Sequence, residues 1–334
     1  MSPRPAEQLS VPYFPSDEGL ANEGQAFLFT RDLSLGVMPI GGSRNRPEYT
    51  AKLQPEDAHL TLLLANLLDP DAQRGELAEA LVEFVETATQ YLAHFGEVFY
   101  ETVPIPRATG GDGASEPTDT PSEDQTGDKS ESEPSDELPP IARLVTLPRG
   151  KVWRVLWRHV QVIPKADRER IGKRLVPIPS ARIWHLKLPT DLGSPPAHRR
   201  LLKRLGQLDP LRPEFAMEIG DMGRSVDFDF SVQRAACDIE QERSTKAWGR
   251  IPSITHIDGT TEYLFLARIV QWRRTQAVIR EHVITQLNHL LDRLDVGHCI
   301  VTSGLPSAEE IGEALRQMRA GEITVAEAMH ATRL

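Results

Sequence analysis

Asp227 and Asp229 stand at alternate positions in Asp227-Phe-Asp-Phe230, a spacing that would let two carboxylates hold a divalent cation for phosphodiester hydrolysis. Such a site needs further acids and a lysine near a strand, and a solvated helix start accounts for the pair better. Ten histidines occur, and none falls in a metal-ligand spacing. His282 and His289 lie seven apart, His-Glu-x-x-His is absent, and His289 with Asp292 reads as a surface hydrogen-bonding pair. His185 reads as a strand residue facing solvent or a neighbour. Neither Cys237 nor Cys299 has a basic partner fixed beside it that would make it a reactive thiolate, and two cysteines exclude a disulfide scaffold and a zinc ribbon. Gly41-Gly-Ser-Arg44 lacks the Gly-Lys-Ser/Thr ending of a phosphate-cradling loop. There is no Gly-x-Ser-x-Gly elbow and no Gly-x-Gly-x-x-Gly. No metal or cofactor is expected, and the chain is not expected to be an enzyme; a metal-dependent nuclease at Asp227 and Asp229 is the remote alternative.

Charge is more informative. The chain of 334 residues carries a formal net charge of −10, but residues 108–138 hold ten acids against Lys129 alone, a net −9, so the remainder is close to neutral. That stretch has almost no apolar side chains to offset the entropy of ordering, and is expected to be a disordered acidic insertion. It could serve as a lure for a basic partner or fold back on the chain itself. Residues 149–204 invert the sign, with fifteen bases against Asp167, Glu169 and Asp191, a net +12. Such a field attracts phosphate backbones or acidic protein surfaces. The candidate contacts are Arg199, Arg200, Lys203 and Arg204. Trp153 and Trp157 could stack on bases, but their apolar neighbours Val152, Val155, Leu156 and Val160 favour the core.

The elements that must carry these residues follow from periodicity. With 40% hydrophobic and 26% charged residues, the chain can bury a sizeable core as one large domain or two ordinary ones. The longest apolar stretch, Leu60 to Leu68, is too short to span a bilayer, and no secretory signal opens the chain, so no membrane partner and a soluble, reducing, intracellular setting are expected. Residues 1–54, rich in Pro and Gly, read as an extended arm. Pro55-Glu-Asp opens a helix to Leu68, with Pro near its first position. A second helix runs from about Asp71 to Phe95, its apolar stripe spaced three and four, and stops at Gly96. Glu97 to Val103 reads as a strand. Ile141–Leu147, Val152–Ile163, Leu175–Ile178 and Ile183–Leu188 suggest one small sheet of three to five strands, with the insertion inside a strand-to-strand connection. Pro195 to Leu205 reads as a basic helix, Pro213 to Met222 as another, and Phe228 to Trp248 as a further helical stretch. Thr261 to Leu294 is helical for over thirty residues unless Trp272 to Gln276 breaks it. Ile279, Val283, Leu287, Leu290 and Leu294 line one face in a coiled-coil-like spacing; a helix of this length packs along a subunit neighbour or across the whole body, and these residues are the candidates for packing against a second copy. Ser307 to Glu310 and Thr324 to Glu327 are capping boxes opening two short helices whose role is packing. The expectation is an α+β fold: residues 1–54 as arm, 55–107 with 139–222 as an α+β body holding a small mixed or antiparallel sheet, 108–138 as the insertion, and 223–334 as a helical C-terminal region.

The order of three segments resembles the portal proteins of tailed bacteriophages. These are the helix ending Tyr91-Leu-Ala-His-Phe-Gly96 before the strand Glu97-Val-Phe-Tyr-Glu101; Val176-Pro-Ile-Pro-Ser180 before Arg182-Ile-Trp-His-Leu186; and the long helix followed by Gly321-Glu-Ile-Thr-Val-Ala-Glu327. Together they cover about half the chain. Portals are usually longer, an obvious second stem helix and a clip of standard length are lacking, and the acidic insertion is no hallmark of that family. The resemblance implies a ring-shaped homo-oligomer at a capsid vertex, virion-associated, that passes double-stranded DNA without sequence preference and docks a terminase and a head–tail connector. Arg268, Arg273, Arg274 and Arg280 of the long helix would then line the channel. The competing expectation is a nucleic-acid-binding or regulatory module of a mobile element that uses the basic segment 149–204.

Overall fold

The computed structural model describes residues 33, 36–37, 39–40, 49–68, 76–103, 143–147, 152–155, 158–163, 168–169, 171–208, 239–241, 243–250 and 262–332. The acidic insertion, Trp157, the 213–222 stretch, Asp227, Asp229 and Cys237 lie outside them.

The architecture is α+β. Strand β1 (Thr50–Gln54) is followed by helices α1 (Ala58–Leu68) and α2 (Leu77–Phe95). Asp57 caps α1 by accepting from the Leu60 N–H at 2.8 Å, so the helix opens after Asp57 and Pro55 lies outside it. In α2 the three-and-four spacing buries Leu77, Leu81, Phe84, Val85, Ala88 and Leu92 on one side. Gly96 ends it in the left-handed region at φ 78°, its N–H donating to the Leu92 carbonyl at 2.7 Å. A Cβ there would lie 2.7 Å from His198 Cδ2, so space as well as backbone favours glycine.

The turn at Gly96 launches β2 (Glu97–Val103), the centre of an antiparallel sheet ordered β3-β2-β7, where β3 is Arg143–Leu147 and β7 is Ile183–Lys187. Phe99 pairs with Leu147 on one side and His185 on the other. The acidic insertion thus joins two neighbouring strands of one sheet, Val103 facing Arg143. The strands between do not extend that sheet. β4 (Val152–Val155), β5 (Arg158–Val162) and β6 (Leu175–Ile178) form a second three-stranded antiparallel sheet, and β1 pairs with β8 (Cys299–Ser303) in a two-stranded ribbon. The strands expected in one sheet are therefore divided between two, and the β1–β8 ribbon is a third that the sequence reading does not contain. The second sheet sets its inner face on the first through Phe99, Leu147, Val152, Ile178 and Ile183.

Residues 50–54 are a strand held at the C-terminal side of the chain, not the end of a free arm: Thr50 pairs with Ser303 and Gln54 with Cys299. Asn288 secures this ribbon, donating to the Ile300 carbonyl at 3.0 Å and accepting from its N–H at 2.7 Å.

After α3 (Pro195–Leu208) comes one unbroken helix, α4 (Glu262–Arg293), of 32 residues and thus about 48 Å long. Two cores share it. Its N-terminal half offers Ala267, Val270 and Ala277 to α5 (Ala308–Ala320) and α6 (Val325–Ala331), and its C-terminal half sends Ile279, Val283, Leu287 and Leu290 into the main core with α1, α2 and β8. Both short helices open on the expected capping boxes, Ser307 with Glu310 and Thr324 with Glu327. Among the described residues, no helix is long and apolar enough to cross a membrane.

Candidate nucleic-acid interface

Helix α3 divides its residues by face. His198 and Leu205 are buried, and Leu201 and Leu202 half-buried, the three-and-four spacing of an inward stripe. His198 anchors the helix: its Nε2 meets the Ala93 carbonyl at 3.0 Å, and its ring stacks on Trp248 with centroids 5.7 Å apart. Trp248 in turn is tied to the long helix, its carbonyl accepting from Thr275 Oγ1 at 2.8 Å. The opposite face carries Arg199, Arg200, Lys203 and Arg204, all exposed. Among the described residues none of the four has a carboxylate partner. Arg199 with Lys203, and Arg200 with Arg204, are like charges one turn apart, each pair costing the isolated helix about 0.2–0.5 kcal/mol. An external polyanion would reverse that cost.

Of the four arginines expected to form a basic surface on the long helix, one is buried and three are half-buried. Arg280 is buried, donating to the Pro306 carbonyl and standing 3.6 Å from Glu281. Arg274 reaches Asp191 at 3.4 Å, Arg273 bonds Gln276 at 3.4 Å, and Arg268 is half-buried. Arg280 therefore serves packing within the chain, where the C-terminal half of α4 is covered by the main core. The same enclosure corrects the assignment of Ile279, Val283, Leu287, Leu290 and Leu294 as surfaces for a second copy. The first four are at most 2% exposed inside the chain's own core, and Leu294 packs against that core.

A second basic area lies on the β4–β6 sheet. Arg154, Arg158, Lys173 and Arg174 are exposed. So is Trp153, at 47%, contrary to the expectation that it joins the core. Strand alternation explains this: Val152 points inward against the first sheet, so Trp153 must point outward, beside Val160 and Pro177 of the neighbouring strands. Val155 and Leu175 share that outer face at 51% and 41% exposure.

The remaining candidates for chemistry are structural. His185 Nε2 meets Glu97 at 3.0 Å and its ring stacks on Phe99 at 4.1 Å. His159 nearby is held below its usual pKa by burial first, then by His185 and Arg154. His282 Nε2 meets the Lys187 carbonyl at 2.9 Å, and His289 is exposed a further two turns along α4, so they do not converge. Among the described residues no group of three or more potential ligands could hold a metal ion. An open depression of about 590 Å³ between α5 and α6 is lined by Glu309, Glu310, Glu313 and Glu327 together with Ala314, Gln317, Ile323 and Ala331. Glu310 and Glu327 hold the helix caps, and Arg316 first, then Gln317, draws the Glu313 carboxyl down to about 2. Such walls repel phosphate.

The basic stripe of α3 was legible from its spacing. What sequence reasoning missed is its positioning by His198 and Trp248, fifty residues apart, and the exposure of Trp153. No family model matches the chain, and a comparison with curated proteins finds no match.

Proposed function

We propose that the chain is a structural subunit that holds double-stranded DNA by its phosphate backbone, a portal-like assembly protein whose DNA contact is α3 and not the long helix. The observation that carries this reading is the solvent-facing set Arg199, Arg200, Lys203 and Arg204, with no carboxylate partner among the described residues. Four flexible bases on one helix face suit sliding, sequence-independent contact, because point charges on phosphates carry no base information. In this reading the three portal-like segments lie together in the fold. The strand after Gly96 pairs with the strand after Arg182, Tyr100 opposite Trp184, and the long helix lies on α2, α5 and α6. A ring built of such subunits would pass DNA into a capsid and dock a terminase and a head–tail connector.

The test combines mass with binding. Light scattering on the purified chain is expected to give a multiple of 37.3 kDa, and a random-sequence duplex to bind with an affinity that falls steeply with salt. A monomer that ignores duplex DNA at low salt overturns the proposal. The exposure of Trp153 on the sheet face that also carries Arg158 favours a second reading, a nucleic-acid module of a mobile element that stacks single-stranded bases. That reading requires single strands to bind more tightly than duplex and the preference to vanish in Trp153→Ala.

A further inference from the structure

We propose that the exposed basic face of α3 is also a docking surface for the chain's own acidic segment, residues 108–138, which competes there with DNA. The inference rests on the DNA-contact reading of α3 above and adds what regulates that contact.

Complementarity of charge is the first argument. The segment's net −9 accounts for nearly all of the chain's −10, so no other stretch offers a comparable concentration of anions. The face it would meet holds four cations, arranged as two like-charge pairs one turn apart. A run of carboxylates spaced along a polypeptide presents to these cations the same feature that a phosphate backbone does.

Reach is the second argument. The segment leaves the sheet at Val103 and returns at Arg143, which pair across β2 and β3. The other end of β2 follows Gly96, where an added Cβ would lie 2.7 Å from His198 Cδ2 on α3. The seven residues of β2 span roughly 23 Å at about 3.3 Å each. Residues 104–111, between the sheet and Asp112, can extend to roughly 26 Å. The outward face lies roughly a further 10 Å round the helix, beyond Asp112 but within reach of Asp119 and the acids after it, which can also follow a helix about 21 Å long. A segment tethered at this range acts at an effective concentration of order millimolar, enough for a weak ionic contact to be occupied. That occupancy falls as salt shortens the range of the charges.

The experiment separates this inference from the reading it rests on. A full chain with the ten acids of 108–138 changed to Asn or Gln is offered a fluorescent peptide of the native 108–138 sequence in low salt. Anisotropy is expected to show binding that weakens at least tenfold between 50 and 200 mM salt. Binding is expected to be lost in the same chain carrying R199Q/R200Q/K203Q/R204Q, and kept in one carrying R154Q/R158Q/K173Q/R174Q. All eight positions are exposed, and circular dichroism checks that each variant retains its helices. The neutralised chain is also expected to bind duplex DNA roughly tenfold more tightly than the native one. Peptide binding that survives the α3 substitutions, moves to the sheet variant, or is absent overturns the inference. Equal duplex affinity of the native and neutralised chains does so as well. If the peptide binds as expected but neither chain takes up duplex, it is the DNA-contact reading that falls, and the intramolecular docking stands.

Discussion

Gly249 is the residue through which the candidate interface is joined to the long helix, and replacing it with alanine should show how much of the chain's stability passes through that joint. Gly249 closes the short turn Lys246–Trp248 at φ 77°, in the left-handed region, with Trp248 buried beside it under His198 of α3. A Cβ at Gly249 would sit 2.6 Å from the Trp272 nitrogen and 2.9 Å from the Arg268 carbonyl oxygen, both backbone atoms of α4. A hydrogen-bonded helix backbone cannot step aside as a side-chain tip can. Two costs therefore add. The left-handed conformation costs a non-glycine residue about 1–2 kcal/mol, and forcing atoms into packed space costs about 1–3 kcal/mol more. The molecule supplies its own control: Gly297 has φ 69°, and a Cβ there meets nothing within 4 Å. Gly297→Ala should register the conformational cost alone, and Gly249→Ala should exceed it by about 1–3 kcal/mol. In urea titrations with a slope of about 2 kcal/mol per molar, the second variant should unfold roughly 0.5–1.5 M earlier than the first. Equal midpoints for the two variants would refute the claim that α4's backbone presses on Gly249.

Two further outcomes follow from the same geometry. If α3 is the DNA contact, the quadruple variant R199Q/R200Q/K203Q/R204Q should lower the slope of log affinity against log salt by up to about 3.6, the product of four phosphates and 0.9 each; a slope unchanged by the substitutions removes α3 from the interface. His94 is held neutral by burial, its pKa lowered to about 4 from an unfolded value near 6.5. Because the unfolded chain binds that proton more readily, stability should be complete above pH 6.5 and fall as pH drops from 6.5 to 4. The loss should total about 3 kcal/mol. The fall should flatten in His94→Gln when unfolding is followed across that range.

The two periodicities differ in what they disclosed. The stripe of α2 and its stop at Gly96 could be read directly, because three-and-four spacing and a terminal glycine are local facts. So could both capping boxes and the extent of α4. What covers an apolar stripe is not local. Ile279, Val283 and Leu287 would look the same whether α1 and α2 or a neighbouring subunit lay against them. The β1–β8 pairing joins Thr50 to Ser303, and nothing near either residue announces the other. Trp153 was misjudged by counting apolar neighbours along the chain, where a strand places alternate residues on opposite faces. The candidate basic face was legible because charge needs no partner to be exposed. The buried Arg280 shows the converse, since its carbonyl partner at Pro306 comes from a turn 26 residues on.

The enclosure of α4 moves the question of self-association to another part of the surface. The apolar stripe of α4's C-terminal half, Ile279, Val283, Leu287 and Leu290, is at most 2% exposed and gains no hydrophobic free energy from meeting a copy of the chain, so it cannot drive self-association. The large apolar side chains still facing water among the described residues lie elsewhere: Trp153, Val155 and Leu175 on the outer face of one small sheet, Tyr263 with Leu264 at the start of α4, and Leu62, Ile239 and Val301 apart from these. An assembly of this chain must bury surface of that kind, since charge alone sets approach and orientation more than affinity. Basic side chains border the sheet, and the acidic depression lies between α5 and α6. A head-to-tail contact between unlike faces is therefore better matched in charge than a two-fold contact between like ones. Repetition of such a contact closes into a ring when the rotation between neighbours is a whole fraction of a turn.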